Sequence, residues 1–275
     1  MAEISRCHRE NHRPASEVKI QILGAHLAEL KGARLTSLLV DDVVVVDAGG
    51  LTSALSLAEQ EKIEAVLLTH HHFDHTRDLV TLAANVGYYW RKQLAVHAPR
   101  YTLDIVSRCL LDGQIYANFL EYPSKEKPTL ILEAIEPYSR KTIAGYDVLA
   151  VPAKHSVPAV GYQVTSSDGK SLFYTGDTTV GISDSWQHIS PQLLITEVAG
   201  PNKFEDWLKK AGHLCPRLLR EELIQFRQLK RYLPRIIVVH IGNPYEQEIK
   251  EEVAQVAREL EADISLGYED MKLTL

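Results

Sequence analysis

Cysteine is scarce in this 275-residue chain: Cys7, Cys109 and Cys215 are far apart, and no two have zinc-finger spacing. An odd, scattered set builds no disulfide framework and suits a reducing compartment. Long apolar runs are also missing. The longest, Val43 to Val46 and Ile236 to Val239, fall far below the roughly 18 residues needed to span a bilayer, and residues 1–17 are polar with no apolar signal core. Positive charge is in deficit, with 30 Lys+Arg against 36 Asp+Glu and a net charge of −6. That is the wrong sign for broad contact with a nucleic-acid backbone or an anionic membrane. Only 15 Gly and 12 Pro are present, which excludes collagen-like and low-complexity classes. A dinucleotide-binding glycine fingerprint and solenoid-type repeats are absent as well. The expectation is a cytoplasmic globular protein near the upper size for one core, with a polar tail over residues 1–17 and a single domain over 18–275.

Apolar patterning predicts strands at 18–24, 35–40 and 43–49, the latter two joined at Asp41-Asp42, and a buried strand at 64–69. Further strands are expected at 94–98, 129–137, 146–155, 159–166 and 170–177, with Asp168-Gly169 marking a hairpin. Helices are predicted at 52–62, 76–87, 99–111, 203–211, 216–231 and 245–261. Strands at 193–199 and 235–242 and a last one near Lys272 complete the pattern, while 121–129 reads as loop. Two β-rich halves, each followed by helices, imply an α/β chain with helices outside a pair of central sheets.

Histidine is abundant, with 12 in all, and four lie within six residues at His70, His71, His72 and His75. They follow the strand at 64–69 in the pattern His-x-His-x-Asp-His. In an extended segment residues i and i+2 share a face, so His70 and His72 can address one metal ion while Asp74 and His75, where the chain turns, address a second. Imidazole nitrogen and carboxylate oxygen suit zinc, iron or manganese. Three more candidate ligands, His155, Asp177 and His240, each follow an apolar run and can converge only through the fold.

This set resembles the metallo-β-lactamase superfamily: an early Asp (Asp47), His-x-His-x-Asp-His (His70, His72, Asp74, His75), a later His (His155), a bridging Asp (Asp177) and a final His (His240). The resemblance implies an αββα sandwich with two divalent ions per chain between the sheets, zinc first and manganese or iron as alternatives. Asp47 would sit behind the ligands. The segments ITEVAG (195–200), AGHLCP (211–216) and HSVPAVGY (155–162) are similar to the ribonuclease Z and class II cyclic-nucleotide phosphodiesterase branch. By that likeness His213 is a general acid, Glu197 its partner, and Ser156 a neighbour of the metals, although Cys215 stands where the relatives usually have Thr. A helix cap is the rival role for His213, and helix capping is the expected role of Asn243. His71 has no place in the pattern. The implied reaction is hydrolysis of a small phosphodiester or cyclic nucleotide by a metal-bridging hydroxide, with Asp74 accepting a proton. Lactone or thioester hydrolysis and tRNA 3′ processing are the alternatives. Long-form bacterial relatives grip tRNA with an arm between the segments corresponding to His155 and Asp177, and only 21 residues lie there. The expected partner is therefore a small molecule rather than nucleic acid or a membrane, with a homodimer common among such relatives.

Overall fold

The computed structural model describes residues 17–275, so the expected tail, apart from Glu17, and Cys7 lie outside the described residues. Two seven-stranded sheets face each other. In spatial order the first contains Met271–Thr274, Lys19–Gly24, Ser37–Val40, Val44–Val46, Ala65–Leu67, Leu94–Ala98 and Leu130–Ala134. The second contains Ile264–Leu266, Arg235–Val239, Leu193–Glu197, Ser171–Tyr174, Ala159–Thr165, Tyr146–Ala153 and Arg140–Ile143.

The strand runs are continuously apolar because each sheet is covered on both faces. Ile20, Ile22, Leu38, Val44, Val46 and Leu67 point to the core between the sheets, where they meet Val148, Ala150, Ile195, Ile237 and Val239. Their neighbours Leu23, Leu39, Val45 and Val66 point the other way, onto the helices Leu79–Asn85 and Arg100–Cys109. On the far side Leu149, Val151, Leu194, Ile236 and Val238 pack under Ser183–His188, Pro216–Lys230 and Glu246–Leu260. The layers are thus αββα, as expected. At about 25 cal/mol per Å² of apolar surface, this double coverage is the main term favouring the fold.

Several local expectations need correction. The helix expected at 52–62 is two short ones, Leu51–Ala54 and Leu57–Gln60, because Ser56 opens the second with a capping box closed by Glu59. The one expected at 76–87 is a turn at Phe73–Thr76, a helix at Leu79–Asn85 and a π-helical turn at Val86–Trp90. The loop at 121–129 holds a short ladder, Pro123–Ser124 with Lys127–Pro128. Strands Arg140–Ile143 and Ile264–Leu266 and the helix Ser183–His188 were not anticipated, all three being short. Among the described residues no helix is long and apolar enough to cross a membrane.

Candidate metal centre

The candidate functional side chains stand just beyond strand ends on one rim of the sandwich. Asp47 follows Val44–Val46, His70 follows Ala65–Leu67, His155 follows Tyr146–Ala153 and Asp177 follows Ser171–Tyr174. Glu197 is the last residue of Leu193–Glu197, and His240 follows Arg235–Val239. After His70 the chain turns at once into Phe73–Thr76, which swings Asp74 and His75 round to the same rim.

The seven residues expected as ligands converge in two groups that share Asp177. His70, His72, His155 and Asp177 form one, Asp74, His75, Asp177 and His240 the other, and within each group the candidate ligand atoms lie within 4.8 Å of one another. Asp177 is the hub: its carboxylate is 3.2 Å from His75, 3.5 Å from His240, 3.8 Å from His70 and 3.9 Å from both His155 and His213. His72 Nδ1 lies 3.1 Å from His155 Nε2. His70 Nε2, His75 Nε2 and Asp177 Oδ1 are buried with no hydrogen-bond partner. Buried polar atoms are rarely left so, and oxygen and nitrogen donors aimed at one another suit divalent cations.

The charges are arranged accordingly. Burial opposes ionisation of Asp177, but His240 and His75 outweigh it and hold the carboxyl well below its usual range. Asp74 is also desolvated, yet its hydrogen bond to His240 and the charge of His75 bring it down to about 2. His70 is pushed well down by burial and then by His75. Burial also opposes the charge on His75, but Asp177 and Asp47 hold His75 well above its usual range, so His70, and not His75, already has the neutral form that a metal ligand requires.

Asp47 is fully buried behind His75, with Oδ2 2.7 Å from His75 Nδ1. It also accepts hydrogen bonds from the Thr69 N–H at 2.8 Å and the Thr69 hydroxyl. Its φ of +57° is in the left-handed region, where an L-residue sits only if its surroundings hold it. Thr69, which no reading of the sequence singled out, also lies 3.0 Å from His70 Nδ1. A lone hydroxyl ending an apolar strand was its only signal.

His213 does not cap the helix at Pro216; Cys215 holds the N-cap position there, with no side-chain cap bond. Instead His213 Nδ1 lies 2.9 Å from Glu197 Oε1, and its ring stacks on His240 at 5.4 Å. Burial works against the imidazolium, but Glu197 prevails and raises His213 to about 9. Glu197 is itself fully buried and accepts from the Thr178 and Leu214 N–H groups. Just before His213, Gly212 lets the chain close on His155. At φ +88° its carbonyl O is 2.9 Å from His155 Nδ1, and a Cβ there would lie 2.8 Å from that same nitrogen.

Ser156 is exposed, its Oγ 3.3 Å from His155 Nε2. His71 lies outside both groups, its half-buried ring packed on Tyr101 at 5.4 Å. Asn243 does not cap the next helix: Tyr245 is the N-cap, and Asn243 Oδ1 is buried without a partner. Cys109 and Cys215 are free thiols.

A family model described as the β-lactamase superfamily domain matches residues 40–241. The chain belongs to this superfamily. Among curated members, the ribonuclease Z of Methanocaldococcus jannaschii is 28% identical over 102 residues, which is 37% of this chain and 30% of that protein. The ribonuclease Z of Pyrococcus horikoshii is 26% identical over 136 residues, 48% of this chain and 41% of that one. The chain thus spans less than half the length of the curated relatives it matches. Among solved structures, unliganded yeast PDE1 superposes with a TM-score of 0.79 at 17% identity, over 94% of this chain and 99% of that one. Human tRNase Z, short form, gives 0.67 at 17% identity, over 93% and 98%. At such identities the agreement establishes a shared metallo-β-lactamase fold.

Proposed function

We propose that the chain is a divalent-metal-dependent phosphodiesterase acting on small phosphodiesters or cyclic nucleotides, with residues 18–275 working as one catalytic unit. The observation that carries this reading is the His213–Glu197 pair standing 3.9 Å from the shared carboxylate Asp177. Hydroxide attack on a carbonyl has little need of a proton donor so placed, whereas expulsion of an alkoxide from a phosphodiester does.

His70, His72, His155 and Asp177 would hold one ion and Asp74, His75, Asp177 and His240 the other. Two divalent ions bound there, zinc by the chemistry of the donors and manganese or iron as substitutes, would supply Lewis acidity and acidify water toward neutral pH. The chain's own groups do the rest. Asp47 fixes His75 through Nδ1, leaving Nε2 to face Asp177. Asp74, ionised and only half-buried, is placed to accept a proton. Glu197 holds His213 by Nδ1, so that Nε2 carries the proton delivered to the leaving oxygen.

The ribonuclease Z relatives favour a second reading, tRNA 3′ processing. Between His155 and Asp177, however, the chain forms a single hairpin, Ala159–Thr165 with Ser171–Tyr174, which leaves no arm there to grip tRNA. The net charge of −6 also disfavours wide phosphate contact. The test is a rate panel on protein loaded separately with zinc, manganese and iron. The substrates are bis(p-nitrophenyl) phosphate, a cyclic nucleotide, a lactone, a thioester and a 3′-extended tRNA precursor. Preference for the small diesters supports the reading, while salt-sensitive binding and fast cleavage of the precursor would transfer the protein to the tRNA endonucleases.

A further inference from the structure

Two stretches from opposite ends of the sequence meet behind His240. His240 has φ +57°, a conformation that an L-residue does not hold unaided. The neighbouring Ile241 is pinned on both sides: its N–H donates to the Ala25 carbonyl at 3.0 Å, and its carbonyl accepts from the Leu27 N–H at 3.0 Å. Residues 25–27 thus act as a short strand that sets the backbone from which the His240 ring projects. The next residue packs just as closely, since a Cβ on Gly242 would lie 2.4 Å from the Ala199 carbonyl oxygen.

What holds residues 25–36 in turn is Glu269. Its side chain is 14% exposed, and the single oxygen Oε1 lies 2.7 Å from His26 Nδ1 while accepting from the Arg34 N–H at 2.9 Å and the Ala25 N–H at 3.4 Å. Arg34 also pairs with Asp270 at 2.8 Å. The Glu269 turn is itself anchored, since the Gly267 N–H donates to Val238 O and the Asp270 N–H to Ile22 O. The segment reaches Asp74 as well. A Cβ on Gly49 would lie 2.5 Å from the Thr36 carbonyl oxygen and 2.4 Å from that of Asp74, so the two backbones close on the same glycine.

We propose that Glu269 is a positioning residue for the Asp74, His75, Asp177 and His240 half of the centre: it fixes residues 25–36, and they fix the backbone that aims His240 and seats Asp74. The inference rests on the metal reading above, and its test separates the two. Wild-type, Glu269→Ala and Glu269→Gln proteins, stripped of metal, are titrated with zinc against a chelator of known affinity. The ring resonances of His240, His70 and His155 are followed by NMR in the metal-free proteins. The wild type should take up two ions. Glu269→Ala should bind one with unchanged affinity and the other about 10- to 100-fold more weakly, the usual scale for residues that orient a ligand. The His240 resonances should move while those of His70 and His155 stay. Glu269→Gln, whose amide oxygen can still accept from Arg34, should recover part of the loss and carries the test if the alanine variant does not fold. Equal weakening of both ions, or of neither, would overturn the proposal. A wild type that takes up no zinc would overturn the metal reading, and His240 resonances unmoved by the substitution would then overturn this one separately.

Discussion

On one side of Asp177, His70 and His155 are held directly at Nδ1, by Thr69 and by the Gly212 carbonyl, and His72 meets His155. On the other side, His75 depends on Asp47 and His240 on a backbone clamp from residues 25–27, fastened by Glu269. Asp47 and His240 both adopt left-handed backbone, whereas His70, His72 and His155 do not. Both halves use contacts distant in sequence, Gly212 lying 57 residues from His155 and Asp47 28 from His75, but the second half also depends on two unfavourable backbone conformations that its surroundings hold in place.

The largest effect should come from removing what the halves share. Asp177→Ala is expected to cost at least one ion per chain, measured by elemental analysis, and to reduce diester hydrolysis to background. A protein keeping both ions and activity would mean that the halves do not meet at this carboxylate. Next is His213, which touches both sides through His155 and His240. His213→Ala should lower kcat about 10² to 10⁴-fold for alkoxide leaving groups and far less for p-nitrophenolate, with metal content unchanged. Equal losses would reduce His213 to a structural role. Asp47→Ala should weaken metal affinity about 10- to 100-fold by freeing His75. Titration should assign most of that loss to the ion held by His75, with a smaller loss at the His70 ion because Asp47 also holds Thr69, and equal losses would erase the contrast between the halves.

The smallest effect is on stability and belongs to the clamp. Burial tends to raise the Glu269 carboxyl, but His26 and the Arg34 N–H bring it down to about 2 from an ordinary 4.5. Its contribution is therefore complete above about 4.5 and is lost as pH falls toward 2. Burial lowers His26, but Glu269 and Glu246 raise it above 6.5 on balance, so its contribution is complete below 6.5 and is lost as pH rises through the higher folded value. The stability difference between wild type and Glu269→Gln, about 1 to 2 kcal/mol by urea unfolding, should peak between about pH 4.5 and 6.5. A difference flat across pH 3 to 9 would show that the clamp works without the His26 charge.

The sequence disclosed what is local or periodic. Continuous apolar runs announced strands covered on both faces, and the His-x-His-x-Asp-His spacing announced a shared rim. His155, Asp177 and His240 were legible because each ends such a run. What stayed hidden depends on contacts between distant residues. Nothing near Glu269 or His26 signals their meeting, and Gly212 reads as an ordinary glycine until His155 is placed beside it. The split at Ser56 was written in the sequence as Ser-x-x-Glu but was outweighed by the apolar periodicity around it. Asn243 has a side chain suited to capping but stands two residues before the N-cap, Tyr245.

Ala25 and Glu269 are 244 residues apart, and the strand Lys19–Gly24 pairs with Met271–Thr274. In synthesis, therefore, the segment that aims His240 emerges well before its fastener. Until then residues 19–36 have an open edge, and a chain interrupted before Glu269 would carry all seven candidate ligands yet hold only one half of them in register. Closing so long a loop carries an entropic cost and slows this contact, so completion of the centre waits on the synthesis of Glu269.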